Sequence, residues 1–291
     1  MISFIPQFVP NLIQVVPFVL AFSVLCANPL RKYPGFFYGI WAAAATAITW
    51  PDVIAMIFQT STPAFVSAYE AGLSSLEATM PAFNTIIELL TSSYTGVCFY
   101  LIVMFIGALE KTPTIKKLLS VRSELSILGG IIIMAHVVRV IDFPFLFSNQ
   151  AWVDIWGYPA AHYMFVAAVI IGPLLTLTFL IPWLTSFKFI KRRMPHATWK
   201  KTQMLAYPFM ALMIGQGFFL ALGHALIAYP FDGYSFSMAI MSDPIGWLET
   251  FAQQVATAWM YLAIGVAYAV TRLRKRSRDK ARKRLRLEKA A

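Results

Sequence analysis

The chain has 291 residues, of which 59% are hydrophobic and only 13% are charged, and its mean hydropathy is +0.67. A soluble domain carries roughly 25% charged residues, so this composition excludes an ordinary soluble protein and predicts an all-α polytopic membrane bundle. The net charge is +11, but 11 of the 24 cations lie between Arg272 and Lys289. A basic tail beside a membrane is expected to contact anionic lipid headgroups, so we expect membrane lipids and no nucleic acid as partners.

The positive charges set the predicted topology. Lysine and arginine are absent from four long stretches, which are 1–30, 33–110, 140–187 and 202–271. Cationic loops stay in the cytoplasm because positive charge near a helix end resists translocation. The charge pattern therefore predicts about seven transmembrane helices with the N-terminus outside and the C-terminus inside.

The predicted spans, in chain order, cover 8–27, 36–58, 94–109, 125–141, 161–184, 204–228 and 247–271. The outer connection 59–93 carries Glu70, Glu77 and Glu88 without a cation, and its apolar spacing predicts a short amphipathic helix. The basic tail is predicted to be a helix that lies on, or leaves, the inner leaflet. We divide the chain into 1–93, 94–228, 229–271 and the tail 272–291. No strand-turn-helix segment for a nucleotide is evident, so any reductant is a lipid-soluble carrier or another chain.

Ionisable residues inside the predicted spans are the first candidate site. His136, Arg139 and Asp142 are spaced three residues apart, which places them on one helical face. Charged groups at bilayer depth are costly and usually mark function, so this face is able to ligate a heme, hold a propionate and receive a proton. The alternative is a structural Arg139–Asp142 ion pair near the outer interface, with His136 hydrogen-bonded to a neighbour.

Other polar residues are weaker candidates. His162 and His224 lie near the predicted outer interface, where they would be packing residues singly or would bracket a cofactor or quinone headgroup as a pair. Gln203 lies at the inner edge of span six, and Gln216 lies ~20 Å deeper, where a glutamine usually bonds neighbouring helices.

Several motifs in 94–228 resemble a known family. Thr95-Gly96 opens span three, a basic loop follows, and Arg122 precedes His136 by 14 positions. A second group comprises Ile-Pro-Trp-Leu-Thr-Ser at 181–186 and Trp-Lys-Lys at 199–201. This pattern resembles the ferric-reductase-like transmembrane domain, in particular the heme-binding membrane subunit of the bacterial periplasmic methionine sulfoxide reductase system.

The resemblance implies a heme b site in which His136 occupies a ligand position. The family's other two ligand histidines correspond to Gln203 and Gln216, and a glutamine carbonyl is a poor axial ligand. Three interpretations remain open. Heme is held by His136 with His162 or His224; a flavin or quinone uses the site with both glutamines as hydrogen-bond partners; or the domain performs no redox work.

The function that this resemblance implies is a non-catalytic redox subunit in the bacterial cytoplasmic (inner) membrane. It would pass electrons from a quinol or a cytoplasmic flavoenzyme to an extracytoplasmic reductase partner, and the acidic outer connection would bind that partner. The alternatives are a transporter that uses the Arg139–Asp142 face, or a non-redox membrane anchor or assembly subunit.

Overall fold

A computed structural model describes residues 8–58, 62–141, 159–227 and 243–288, and every regular element in these ranges is an α-helix. The predicted all-α class is therefore confirmed. The helices are α1 (Asn11–Leu25), α2 (Ala27–Lys32), α3 (Pro34–Phe58), α4 (Ala64–Thr79), α5 (Pro81–Thr91), α6 (Ser93–Ile106), α7 (Pro113–Ser120), α8 (Arg122–Arg139), α9 (Pro159–Leu184), α10 (Lys188–Lys191), α11 (His196–Gln203), α12 (Ala206–Ile227) and α13 (Pro244–Glu288).

Several of these helices are long and apolar enough to cross a membrane. Within the described residues, four meet that description, namely Pro34–Phe58, Tyr163–Leu184, His196–Ala225 and Pro244–Arg282. Two bent pairs, α5 with α6 and α7 with α8, raise the number to six if each pair is one span. The chain is thus a multi-pass membrane protein by composition and helix length. The seventh span stays a prediction, because α1 has only 15 residues. The orientation of the chain in the membrane also stays a prediction.

In the bent pair α5–α6, two helices together reach a length that α6 alone does not have. Helix α6 has 14 residues, which is ~21 Å of rise and less than the ~30 Å hydrocarbon core. Helix α5 extends it across a 52° bend at Ser92, whose extended backbone interrupts the helix and whose side chain accepts from the Tyr94 N–H. The connection predicted to hold one short amphipathic helix thus contains two helices, α4 and α5, and α5 forms a bent pair with α6.

Helix α6 is the centre of the N-terminal half. It packs against α8 through glycine, since a Cβ on Gly129 would lie 2.9 Å from the Cβ of Phe99 and 3.2 Å from the carbonyl oxygen of Gly96. Small residues permit this close approach between membrane helices. Helix α1 buries Leu12 against the same core, and Cys98 Sγ lies 3.8 Å from the Leu12 carbonyl oxygen.

The C-terminal half consists of α9, α12 and α13, which pack side by side. A buried cluster joins it to α6; its members are Tyr100, Met104, Phe179, Phe209, Met210 and Met213. The indole of Trp183 on α9 also reaches α8, where Nε1 donates to the Ile127 carbonyl at 3.2 Å.

Helix α13 continues without a break from the last span into the basic tail, so the predicted boundary at 271–272 is not a helix end. The first turns of the tail contact the bundle. Arg272 donates to Tyr207 Oη, Lys275 Nζ donates to the Gly107 carbonyl at 2.5 Å, and Arg278 pairs with Glu110. The helical tail that was predicted is therefore docked on the bundle over its first turns.

Candidate functional site

A partly polar cavity of about 350 Å³ lies where α6 begins and α8 ends. Helices α1, α3, α5, α6 and α8 contribute its walls. Its lining residues are Asn11, Gln14, Val15, Ile48, Thr49, Glu88, Leu89, Thr91, Ser92, Ser93, Tyr94, Ala135, His136 and Arg139. Such a concentration of polar side chains among apolar spans is expensive, and is therefore the strongest candidate for a functional site in the described part of the chain.

His136 and Arg139, two residues singled out in the sequence, both line this cavity. Helix α8 brings them there because its last turn carries both residues on one face. The third member of the predicted face, Asp142, lies outside the described residues.

An ion pair beside the cavity joins α8 to α3. Arg139 Nε donates to Asp52 Oδ2 at 2.6 Å, and the two side chains are 44% and 39% exposed. Sequence reasoning considered Asp142 as the partner and overlooked Asp52. The available signal was that Asp52 is the one acidic residue in the predicted span 36–58.

Thr49 supplies a hydroxyl without a protein partner. Its Oγ1 is buried and makes no hydrogen bond within the described structure, although a threonine in a helix commonly bonds a carbonyl of the preceding turn. Gln14, which also lines the cavity, is different, because its Nε2 donates to the Val9 carbonyl at 2.8 Å. A buried unpaired hydroxyl costs free energy, so a rotation of the Thr49 side chain toward a ligand atom in the cavity would offset that cost.

The remaining sequence candidates lie elsewhere. Gln203 Nε2 donates to the Pro182 carbonyl at 3.2 Å and to Thr185 Oγ1 at 3.0 Å, which ties α11 to the end of α9. Gln216 Nε2 lies 3.5 Å from the point that a Cβ on Gly172 would occupy, so it faces α9.

The other two histidines do not join His136 in the described structure. The ring of His224 packs edge-to-face on Phe165 at 4.9 Å, and the side chain of His162 lies outside the described residues. Neither Gln203, Gln216 nor His224 lines the cavity that contains His136.

The donor set of the cavity does not fit the bis-imidazole heme that the resemblance implies. His136 is the one imidazole among its described lining residues, and Arg139 already has a carboxylate partner. The described residues also contain no group of three or more histidine, cysteine or acidic side chains that could hold a metal ion. The cavity volume lies at the lower end of the ~300–1,000 Å³ range of ligand pockets, which suits a single-ring or two-ring polar headgroup.

The chain matches no protein family model, no curated protein and no solved structure. The likeness to the ferric-reductase-like domain therefore stays a prediction that its short motifs carry.

Proposed function

We propose that this protein is a membrane electron-transfer subunit that binds a quinol headgroup in the cavity beside His136. The observation that carries the proposal is the lining of the cavity. The polar lining includes the imidazole of His136, the carboxyl group of Glu88 and Thr49, whose hydroxyl is unpaired. The apolar lining includes Val15 and Ile48. A quinone ring has two apolar faces and two oxygens at its edge, so it needs this mixture of apolar contact and a few polar groups.

The side chains of the cavity also suit the proton chemistry of a quinol. Its oxidation releases two electrons and two protons. His136 and Glu88 are groups that accept protons, and the Arg139–Asp52 pair lies beside them as a fixed dipole. The electrons would pass to a cofactor of an extracytoplasmic reductase partner.

We further propose that α1 also crosses the membrane, which brings the number of spans to seven, and that the N-terminus lies outside. Its 15 residues give ~22 Å of rise, and α2 continues toward Arg31 and Lys32. This orientation, taken from the charge pattern, places the cavity in the outer half of the membrane. Glu70 on α4 is exposed there and is available to a cationic partner surface, whereas Glu88 lines the cavity.

The direct test is the quinone content of the purified protein. Wild-type protein, His136→Ala and Thr49→Val are purified in native-membrane nanodiscs, and the quinone is extracted and quantified. His224→Ala is the matched control, because it removes an imidazole that does not line the cavity. Loss of one buried hydrogen bond costs ~1–3 kcal/mol, so retention should fall roughly tenfold in both cavity variants and not in the control.

Three outcomes would contradict the proposal. Equal quinone retention in wild type, His136→Ala and Thr49→Val would mean that the cavity is not the quinone site. A Soret band that disappears in His136→Ala would instead return heme to this position. A flavin spectrum would favour the flavin interpretation.

A transporter is the second candidate, and the Arg139–Asp52 pair favours it. This pair joins two helices that line the cavity, so a substrate carboxylate able to replace Asp52 would bind Arg139 and remove one contact between α8 and α3. Wild-type protein that contains neither quinone nor any chromophore would remove the redox proposal and leave transport or a membrane anchor.

A further inference from the structure

Two cationic side chains reach Gly107, which follows the end of α6 opposite the cavity, and a third interacts with one of them. Lys275 Nζ donates to the Gly107 carbonyl at 2.5 Å. The guanidinium carbon of Arg122 lies 3.7 Å from the point that a Cβ on Gly107 would occupy. Arg272 lies 4.8 Å over the ring of Tyr207 and interacts electrostatically with Arg122. We call Arg122, Arg272, Lys275 and Tyr207 the Gly107 cluster.

The cluster lacks a carboxylate in the described structure. Of the acidic side chains close in sequence to Gly107 and Arg122, Glu110 pairs with Arg278 and buried Glu124 pairs with Lys188 at 3.3 Å. No described ion pair includes Arg122, Arg272 or Lys275. Like charges a few ångströms apart repel by ~1 kcal/mol in water and by more at a membrane interface, so a bound anion would stabilise this arrangement.

The cluster exists only in the folded bundle. Arg122 begins α8, Tyr207 belongs to the first turn of α12, and Arg272 with Lys275 belongs to α13. The spacing of Arg272, Lys275 and Arg278 is three residues, which places them on neighbouring positions of the face that docks on the bundle. Arg274 and Arg276 lie on the exposed side of the same helix. The tail therefore carries two sets of cations with different surroundings.

An apolar groove reaches the same end of α6. It has a volume of about 230 Å³ and runs between α1, α6 and α7. Its lining includes Leu101, Phe105 and Leu109, the last only two residues beyond Gly107. An apolar groove and a cationic cluster at the same end of one helix match the two parts of a phospholipid, which are an acyl chain and a phosphate.

We propose that the Gly107 cluster binds the phosphate of an anionic phospholipid at the end of the bundle opposite the cavity. Guanidinium groups suit this ligand because they donate paired hydrogen bonds to phosphate oxygens. Bound lipid would join α6, α8, α12 and α13, since each contributes to the cluster or adjoins it. This site does not depend on the quinol proposal, because it shares no residue with the cavity.

The test is lipid binding by the full-length protein in mild detergent, measured by native mass spectrometry. Phosphatidylglycerol is titrated into wild type and into the double variant Arg122→Gln/Arg272→Gln. The matched control is Arg274→Gln/Arg276→Gln, which removes the same charge from the exposed side of α13. We expect the Kd to rise roughly tenfold or more in the first variant and to stay near the wild-type value in the control.

Additional ligands in the same experiment distinguish a phospholipid from free phosphate. Additional variants control for loss of folding. Phosphatidylcholine should bind more weakly than phosphatidylglycerol, and inorganic phosphate should not displace the lipid. The Arg122→Lys/Arg272→Lys variant keeps both charges, so it should bind better than the glutamine variant. If the glutamine variant fails to fold, Lys275→Gln takes its place. Equal loss of phosphatidylglycerol in the cluster and control variants, or binding of inorganic phosphate without lipid, would overturn the proposal.

Discussion

The contact between Gly130 and Trp183 provides a sharp test of how the two halves of the bundle meet. Gly130 lies in α8 and is buried, and a Cβ on it would overlap the indole ring of Trp183 from α9. The same indole donates to the Ile127 carbonyl at 3.2 Å and stacks on Phe179 at 5.6 Å. Gly130→Ala must therefore displace the indole and break its hydrogen bond.

The magnitude follows from two terms. Overpacking of a well-packed interior costs ~1–3 kcal/mol, and an indole N–H left without its acceptor adds ~1 kcal/mol or more. The sum is about 2–4 kcal/mol of unfolding free energy. For a chain larger than 150 residues, 1 kcal/mol corresponds to roughly 2–4 °C, so the unfolding temperature should fall by roughly 4–16 °C.

Cys98 provides the assay, because its thiol is 2% exposed and becomes accessible on unfolding. A thiol-reactive dye then reports the transition in a Cys26→Ser background, which removes the second, half-buried thiol. Gly39→Ala is the control, since a Cβ at Gly39 meets no atom within 4 Å and alanine favours a helix over glycine. An unfolding temperature of Gly130→Ala equal to that of Gly39→Ala would refute the packing of α8 on α9 at this point.

Three further predictions concern the Arg139–Asp52 ion pair, the membrane topology and the two glutamines at the family's heme-ligand positions. A double-mutant cycle with Arg139→Gln and Asp52→Asn should give a coupling energy of about 0.2–1 kcal/mol, because both side chains are substantially exposed to solvent. A coupling energy well above that range would mean that water does not screen the pair and that the cavity is dry. A topology reporter fused after Ala291 should be active in the cytoplasm only, and activity on the other side would reverse the orientation. The Gln203→His/Gln216→His variant should show no Soret band, since neither position lines the cavity of His136; a band that shifts on reduction would restore the family's heme site.

The local pattern of the sequence anticipated most of the helices but not their breaks. Predicted spans 161–184 and 204–228 correspond closely to α9 and α12, because long apolar runs between charge groups leave few alternatives to a helix. The bend at Ser92 was not anticipated, since apolar residues continue on both sides of it and one extended residue leaves no mark in hydropathy. The span count of four to six, with α1 apart, depends on these bends.

Sequence alone determined that this chain is helical, belongs in a membrane and places ionisable His136 and Arg139 on one helical face. These properties follow from composition and from the helical period, both of which are local. Tertiary structure alone decided that Arg139 pairs with Asp52, 87 positions away, that Gln203 bonds α9, and that Arg122 meets Lys275 at Gly107. Such contacts depend on which helices pack together, and long apolar helices such as α9 and α12 have nearly the same hydropathy on every side, so their sequences do not indicate their neighbours.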